Sequence, residues 1–214
     1  MIDVDHSVFV TGTDTDVGKT HVAVSLIRQL AVAGHRVAGM KPVAAGALDT
    51  SHGLRNDDAL DLAAAASVRL PYDVVNPCCL PRATSPHLAA RDAGRPIDIP
   101  ALVAAYDRIA ASADIVVVEG AGGWYVPVGE PDVPGKAAPT MADLAVALGL
   151  PVLLVVGIRL GCLNHALLTA EAIRASGLTL AGWVANRIDP TFADYDDYVE
   201  SLVARLPAPC LGRC

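Results

Sequence analysis

Phe9-Val10-Thr11-Gly12-Thr13-Asp14-Thr15-Asp16-Val17-Gly18-Lys19-Thr20-His21 joins a short apolar run to the start of an amphipathic one. Ser7 to Val10 reads as a strand, and His21 to Ala33 reads as a helix with Ala, Val, Leu and Ile on one face. A Gly-rich turn between a strand and a helix lets backbone N–H groups converge on phosphate oxygens at the helix N-terminus. Lys19 then reaches the terminal phosphates, and the Thr20 hydroxyl is placed to bind Mg²⁺. Five residues separate Gly12 from Gly18, one more than the common spacing of such phosphate-binding loops (P-loops).

Outward from that loop, short apolar runs alternate with amphipathic ones. Gly34 falls where a helix C-cap is expected, and Val37 to Met40 reads as a strand ended by Lys41-Pro42. Pro100 to Ala111 reads as a helix with Pro in its first turn, followed by a strongly apolar strand from Asp114 to Val118. Helices are expected at Met141 to Leu148, Leu163 to Ala175 and Phe192 to Leu206, and strands at Val152 to Val156 and Leu180 to Ala185. This alternation predicts an α/β fold of three layers, a mostly parallel sheet with helices on both faces. One domain over 1–214 is expected from the length. Ligands of such sheets sit at the C-terminal strand ends, where Thr11 to Thr20, Lys41, Glu119 and Asn186 all fall. The Gly- and Pro-rich stretch Gly129 to Pro139 is expected to be a mobile surface loop.

Hydrophobic residues make up 53% of the 214 and charged residues 18%, which suits strands buried on both faces. A net charge of −7 without any Lys or Arg run argues against nucleic-acid binding. No apolar stretch reaches the roughly 18 residues of a membrane span, and MIDVDHSVFV, acidic where a secretory signal would carry positive charge, is not expected to be one. The five cysteines form no CxxC pair. A cytoplasmic, reduced protein is expected.

Several polar residues carry chemistry. Asp16 puts a negative charge inside an anion-binding loop, and two readings stand. It is aimed at a substrate ammonium or the metal, or it is a solvent-facing charge favoured by the helix dipole. Lys41 either stabilises charge developing in the crevice or is a surface lysine at a strand end. Glu119 ends the most apolar strand, where a lone buried carboxylate is costly and a metal or cation partner is expected. Asp57 and Asp58 precede an apolar helical stretch, and the glycines Gly120, Gly122 and Gly123 let backbone approach a ligand. Gly161-Cys162-Leu163-Asn164-His165 opens a helix. From the residues alone it is best read as an ordinary start capped by Asn164, and Cys162 with His165 is too sparse for a metal site.

Taken together, FVTGTDTDVGKT, GMKPVAAG, GLRNDDAL, TSPHLAA, VVVEGAGGWYVPV, VVGIRLGCLNHALLT and GLTLAGWVAN resemble the dethiobiotin synthetase family from about Phe9 to Pro209. The resemblance implies a homodimer of single-domain P-loop subunits, each with a sheet of about seven strands. It also implies the Mg²⁺-dependent conversion of 7,8-diaminopelargonate, CO2 and ATP into dethiobiotin, ADP and phosphate. By similarity Lys19 and Lys41, with Thr15 and Asp16, serve the chemistry. Thr20, Asp58 and Glu119 would hold Mg²⁺. The nucleotide would meet Asp16, Val17, Gly18, Lys19, Thr20 and His21, then Asp58, Glu119, Gly120, Ala121 and Gly122. Asn186, Arg187, Pro207, Ala208 and Pro209 would face the adenine. Lys41 and the helix start Gly161, Cys162, Leu163 and Asn164 would receive the substrate, the helix start acting across the dimer interface.

The chain departs from the family pattern in three places. Asp16 stands where many members carry Glu, Ala45 stands where similar enzymes carry Ser, and the sequence stops at Cys214 where similar proteins continue. The last leads us to expect weaker ATP affinity or looser nucleotide selectivity. A switch ATPase of the partitioning or division-site type shares the architecture, but usually has an extra lysine early in the loop, where Thr13 and Asp14 stand here. A related ATP-dependent amidase generally needs an added glutamine-hydrolysing domain, for which the chain has no room.

Overall fold

The computed structural model describes residues 4–131 and 137–214. In chain order the elements begin with β1 (Val8–Gly12), α1 (Lys19–Val32), β2 (Val37–Met40), β3 (Val43–Ala45), β4 (Leu48–Thr50) and β5 (Gly53–Arg55). Next come α2 (Asp57–Ala65), α3 (Tyr72–Val75), β6 (Cys78–Leu80), α4 (Pro86–Asp92), α5 (Ile99–Ala110) and β7 (Ile115–Gly123). The remainder is α6 (Met141–Leu148), β8 (Val152–Gly157), α7 (Cys162–Ala175), β9 (Leu180–Asn186), α8 (Tyr195–Val203) and β10 (Cys210–Arg213).

Successive side chains of a strand point to opposite faces, and here both faces are apolar. Phe9, Val116, Val118, Leu154, Val156 and Trp183 pack on one side with α5, α6, α7 and α8. Val8, Val10, Ile115, Val117, Leu153 and Val155 pack on the other with α1 and Leu62 of α2. Val22, Leu26, Ile27 and Leu30 give α1 its buried stripe, at the spacing that keeps one helix face inward. Gly39 of β2 is what admits α2, because a Cβ there would meet the Leu62 Cβ at 2.8 Å. The capping box of Thr140 and Asp143 starts α6.

The main sheet has the order β10-β9-β8-β1-β7-β2, and every pairing in it is parallel. Among the described residues it holds six strands, in line with the sheet of about seven that the resemblance implies. After Lys41-Pro42 the chain leaves this sheet, and β3 pairs instead with β6 in a separate two-stranded sheet. Pro42 has no N–H with which to continue the ladder. The antiparallel β4–β5 pair was not expected, nor was β10 at the sheet edge. α8 is shorter than its periodicity predicts, because Asp189 accepts from both the backbone N–H and the hydroxyl of Thr191, closing a turn ahead of it. Residues 132–136 of the expected mobile loop lie outside the described residues. Among those described, no helix is long and apolar enough to cross a membrane.

The register delivers the site. β2, β7 and β1 are neighbours, with Met40 beside Val118 and Val10 beside Glu119. Lys41, one residue beyond Met40, therefore comes level with Glu119 and next to the loop that follows β1.

Candidate active site

The loop after β1 is bent by two left-handed residues. Gly18 has φ +88° and Asp16 has φ +59°, the latter alone among the described non-glycine residues in that region. Gly18 precedes α1, so backbone N–H groups gather at a helix start. Val17 is buried and wedges the loop down, and a Cβ on Gly12 or Gly157 would run into it. The Asn186 side chain donates to the Val17 carbonyl at 2.9 Å. Asn186→Ala is expected to lower the unfolding free energy by about 1–2 kcal/mol, because that carbonyl loses its donor. Urea denaturation reads the loss directly, and an unchanged midpoint would refute the tie. On the rim, Asp14 accepts from the Thr15 N–H and pairs with Arg159 at 2.6 Å.

Lys19 is buried, and its ammonium donates to the Asp14 carbonyl at 2.8 Å. Burial, with repulsion from Lys41 second, pulls its pKa down to about 8. An arriving phosphate would supply the missing counter-charge.

Lys41 is 4% exposed and lies between two carboxylates, donating to Asp58 Oδ2 at 2.8 Å and Glu119 Oε1 at 2.7 Å. Burial alone would lower its pKa, but Glu119 and then Asp58 overcome that and hold it above the usual lysine value. Asp58 is the mirror case: burial would raise it, and Lys41 keeps it below the usual carboxylate range. Of the two readings of Lys41, the surface lysine is therefore excluded. Thr20 Oγ1 donates to the same Glu119 oxygen at 2.8 Å, so one carboxylate oxygen takes two donors.

The other oxygen, Glu119 Oε2, is buried and has no hydrogen-bond partner among the described residues. An orphaned buried carboxylate oxygen beside a hydroxyl and a second carboxylate is a hard-oxygen donor set, and it fits Mg²⁺. Thr20, Asp58 and Glu119 would hold the ion.

A cleft of about 810 Å³ opens over these groups, the size of a pocket for a small-molecule ligand. Thr15, Asp16, Gly18, Lys19, Thr20, Lys41, Asp58, Glu119, Ala121 and Gly122 all line it. Ala45 lines it with a methyl group only. The opposite wall, Ala83 to Pro86, was given no role from sequence, although TSPHLAA stood among the resembling blocks. Gly120 packs under the floor against Phe9, and His21 is exposed on the first turn of α1.

Other expected residues stand apart from this cleft. Gly161 is the N-cap of α7, so Asn164 lies within the first turn and is not the cap. The physical reason is that Gly161, with φ +92°, ends the preceding loop three residues earlier than the Asn-capped reading places it. Leu163 is half-buried, while Gly161 and Asn164 are exposed. Cys162 is buried, and burial pushes its thiol up, which leaves it a poor nucleophile. Arg187 follows Asn186 and stacks its guanidinium over Tyr195 at 3.7 Å.

Pro207 to Pro209 are not brought to the phosphate loop. The Pro209 carbonyl accepts from the Trp183 N–H in mid-β9, and Pro207 borders a depression beside Leu180, where β9 begins. Because β10 runs parallel to β9, its far end is what reaches the site edge. There Arg187 donates its N–H to the Cys214 carbonyl.

Comparison with known proteins agrees with this geometry. The AAA domain family model matches residues 6–214. Over 206 residues, 96% of this chain and 87% of the relative, the sequence is 50% identical to an ATP-dependent dethiobiotin synthetase of Pseudomonas paraeruginosa. The chain belongs to the dethiobiotin synthetase family. A further member of that family, from Yersinia pestis, is 48% identical over 95% of this chain and 82% of its own length. Among solved structures, a MinC:MinD cell division protein complex of Aquifex aeolicus superposes with a TM-score of 0.58. It covers 98% of this chain and 81% of that one, at 17% identity, which shows the shared fold alone. The family's architecture is thus the P-loop sheet with helices on both faces.

Proposed function

We infer that this chain closes the ureido ring of dethiobiotin from 7,8-diaminopelargonate, CO2 and ATP, as a Mg²⁺-dependent ligase of biotin biosynthesis. The carrying observation is the Lys41 ammonium, buried between Glu119 and Asp58 beside a phosphate loop. An amine of the substrate adds CO2 and loses a proton to give a carbamate. The carbamate oxygen takes the terminal phosphoryl group of ATP, releasing ADP. The second amine then attacks the carbonyl carbon, expels phosphate and loses a proton to leave the ureido N–H.

Such a route needs placement and positive charge more than a protein nucleophile. Gly18 and its neighbours offer N–H groups to the phosphates, and Lys19 exchanges the Asp14 carbonyl for a phosphate oxygen. Lys41 offsets the negative charge of the carbamate and of the phosphoryl group in transfer. Thr20, Asp58 and Glu119 would hold Mg²⁺, which would supply positive charge to the phosphate oxygens. Thr15 and Asp16 border the space where the diamine and the phosphoryl group meet, and Asp16 is placed to attract an ammonium. Asn186 and Arg187 flank the base.

We also propose one domain over 1–214, a cytoplasmic location and a homodimer. Support for the dimer comes from α7, whose exposed start is bordered by Leu160, 80% exposed, and continues to Leu168, 62% exposed. A second copy laid on this face would bring the Gly161–Asn164 N–H groups to a substrate carboxylate.

The test is phosphate release from Mg·ATP and bicarbonate, with and without the diamine, with the product identified by mass. Release that requires the diamine and yields dethiobiotin is the expected result. Hydrolysis indifferent to the diamine would sink this reading and favour a switch-type ATPase.

A further inference from the structure

A chain of hydrogen bonds leaves the backbone of Lys41 and returns to its own ammonium. The Lys41 carbonyl accepts from Asn76 Nδ2 at 2.6 Å, and Asn76 itself is 2% exposed. That bond fixes the amide's orientation, so Asn76 Oδ1 faces the Tyr72 hydroxyl and accepts from it at 3.0 Å. The Tyr72 oxygen in turn accepts from the Asn56 N–H at 2.7 Å. Asn56 caps α2, its side chain accepting from the Ala59 N–H at 3.3 Å. Two residues on, Asp58 accepts from Lys41 Nζ at 2.8 Å.

The circuit is well supported. Lys41 N–H donates to the Val75 carbonyl of α3, so both backbone groups of Lys41 are held by the Tyr72–Asn76 segment. The Arg55 guanidinium lies over the Tyr72 ring, 4.2 Å from its centre. Burial, with Cys79 second, pushes the Tyr72 phenol up to about 12, so it stays protonated and able to donate. Of the residues that link Lys41 to Asp58, Asn56 lines the cleft and Tyr72 and Asn76 do not.

We propose that Tyr72 and Asn76 are positioning residues, which set the placement of Lys41 against Asp58 by joining the end of β2 to the start of α2. The inference rests on the function proposed above, in which Lys41 and Asp58 act at the reacting groups. α3 is four residues long and packs against both α2 and β2, the two elements that the pair joins, and against α5. A small displacement of a group that stabilises a transition state lowers turnover much more than it lowers ground-state binding.

Tyr72→Phe removes one oxygen and leaves the ring and its Arg55 stack. In diamine-dependent phosphate release, its kcat is expected to fall about tenfold. KM for ATP and for the diamine should stay within about twofold, and the melting temperature within a few degrees. Asn76→Leu, close in size, removes both polar ends and should lower kcat at least as far; it carries the test should Tyr72→Phe fail to fold. Turnover within about twofold of wild type in both variants would overturn the inference and leave the function standing. A loss shared among kcat, both KM values and the melting temperature would also overturn it, since that pattern marks general loosening. If wild-type enzyme made no dethiobiotin at all, the proposed function would fall first and take this inference with it.

Discussion

Lys41→Gln should lose about three orders of magnitude in kcat while KM for ATP changes only a few-fold, the signature of an interaction made chiefly in the transition state. The same change has a second effect on the metal-free protein. Glu119 is fully buried, and its Oε1 takes Lys41 at 2.7 Å, so replacing the ammonium by a shorter neutral amide leaves the carboxylate without its cationic partner. Breaking one side of such a buried pair costs about 3–5 kcal/mol, although the intact pair contributes little net stability. Urea denaturation should therefore show Lys41→Gln markedly weakened without Mg²⁺ and largely restored at millimolar Mg²⁺, because a cation again faces Glu119. Equal stability with and without the metal would count against Thr20, Asp58 and Glu119 as its holders. Undiminished turnover would remove Lys41 from the chemistry altogether.

Gly18→Ala is the second large effect, and it acts on binding. At φ +88° an alanine is strained by about 1–2 kcal/mol. Its Cβ would also lie 2.0 Å from Asn186 Nδ2, so either the loop or the asparagine must move. Both movements displace the N–H groups at the start of α1, and Mg·ATP affinity should fall at least about 100-fold by calorimetry. The double variant Gly18→Ala/Asn186→Ala separates the causes: it relieves the clash and keeps the strain, so part of the affinity should return. If the single variant bound Mg·ATP like wild type, the loop would not be the phosphate site.

Residues close together in sequence were the legible ones. The Gly12–Thr20 turn and the apolar runs of β1, β2, β7, β8 and β9 could be found because loop chemistry and periodicity are local properties. Glu119 and Lys41 could be suspected because each ends an apolar run. Other features depend on distant partners. β3 and β6 are three residues each, too short for any period, and exist because they pair with one another. Asn76 meets the Lys41 carbonyl across 35 positions, and nothing near Asn76 in the sequence announces that contact. Pro207 to Pro209 show the opposite failure. A likeness of residues suggested the base, but strand direction sets them toward the start of β9, and direction is invisible in a segment read alone.

The central place of β1 has a consequence for how the protein is made. Its neighbours in the sheet are β7 and β8, so the phosphate loop rests on segments translated much later. Thr20 waits for Glu119, which is 99 positions further along, and the Thr13 N–H waits for the carbonyl of Val155. A nascent chain stalled before β8 would already carry every residue of GTDTDVGKT and still lack one of the two strands that flank β1. Pairings of such long range form slowly and leave apolar strands uncovered meanwhile. The stretch that declares the enzyme's chemistry is thus translated ahead of the strands that hold it in shape.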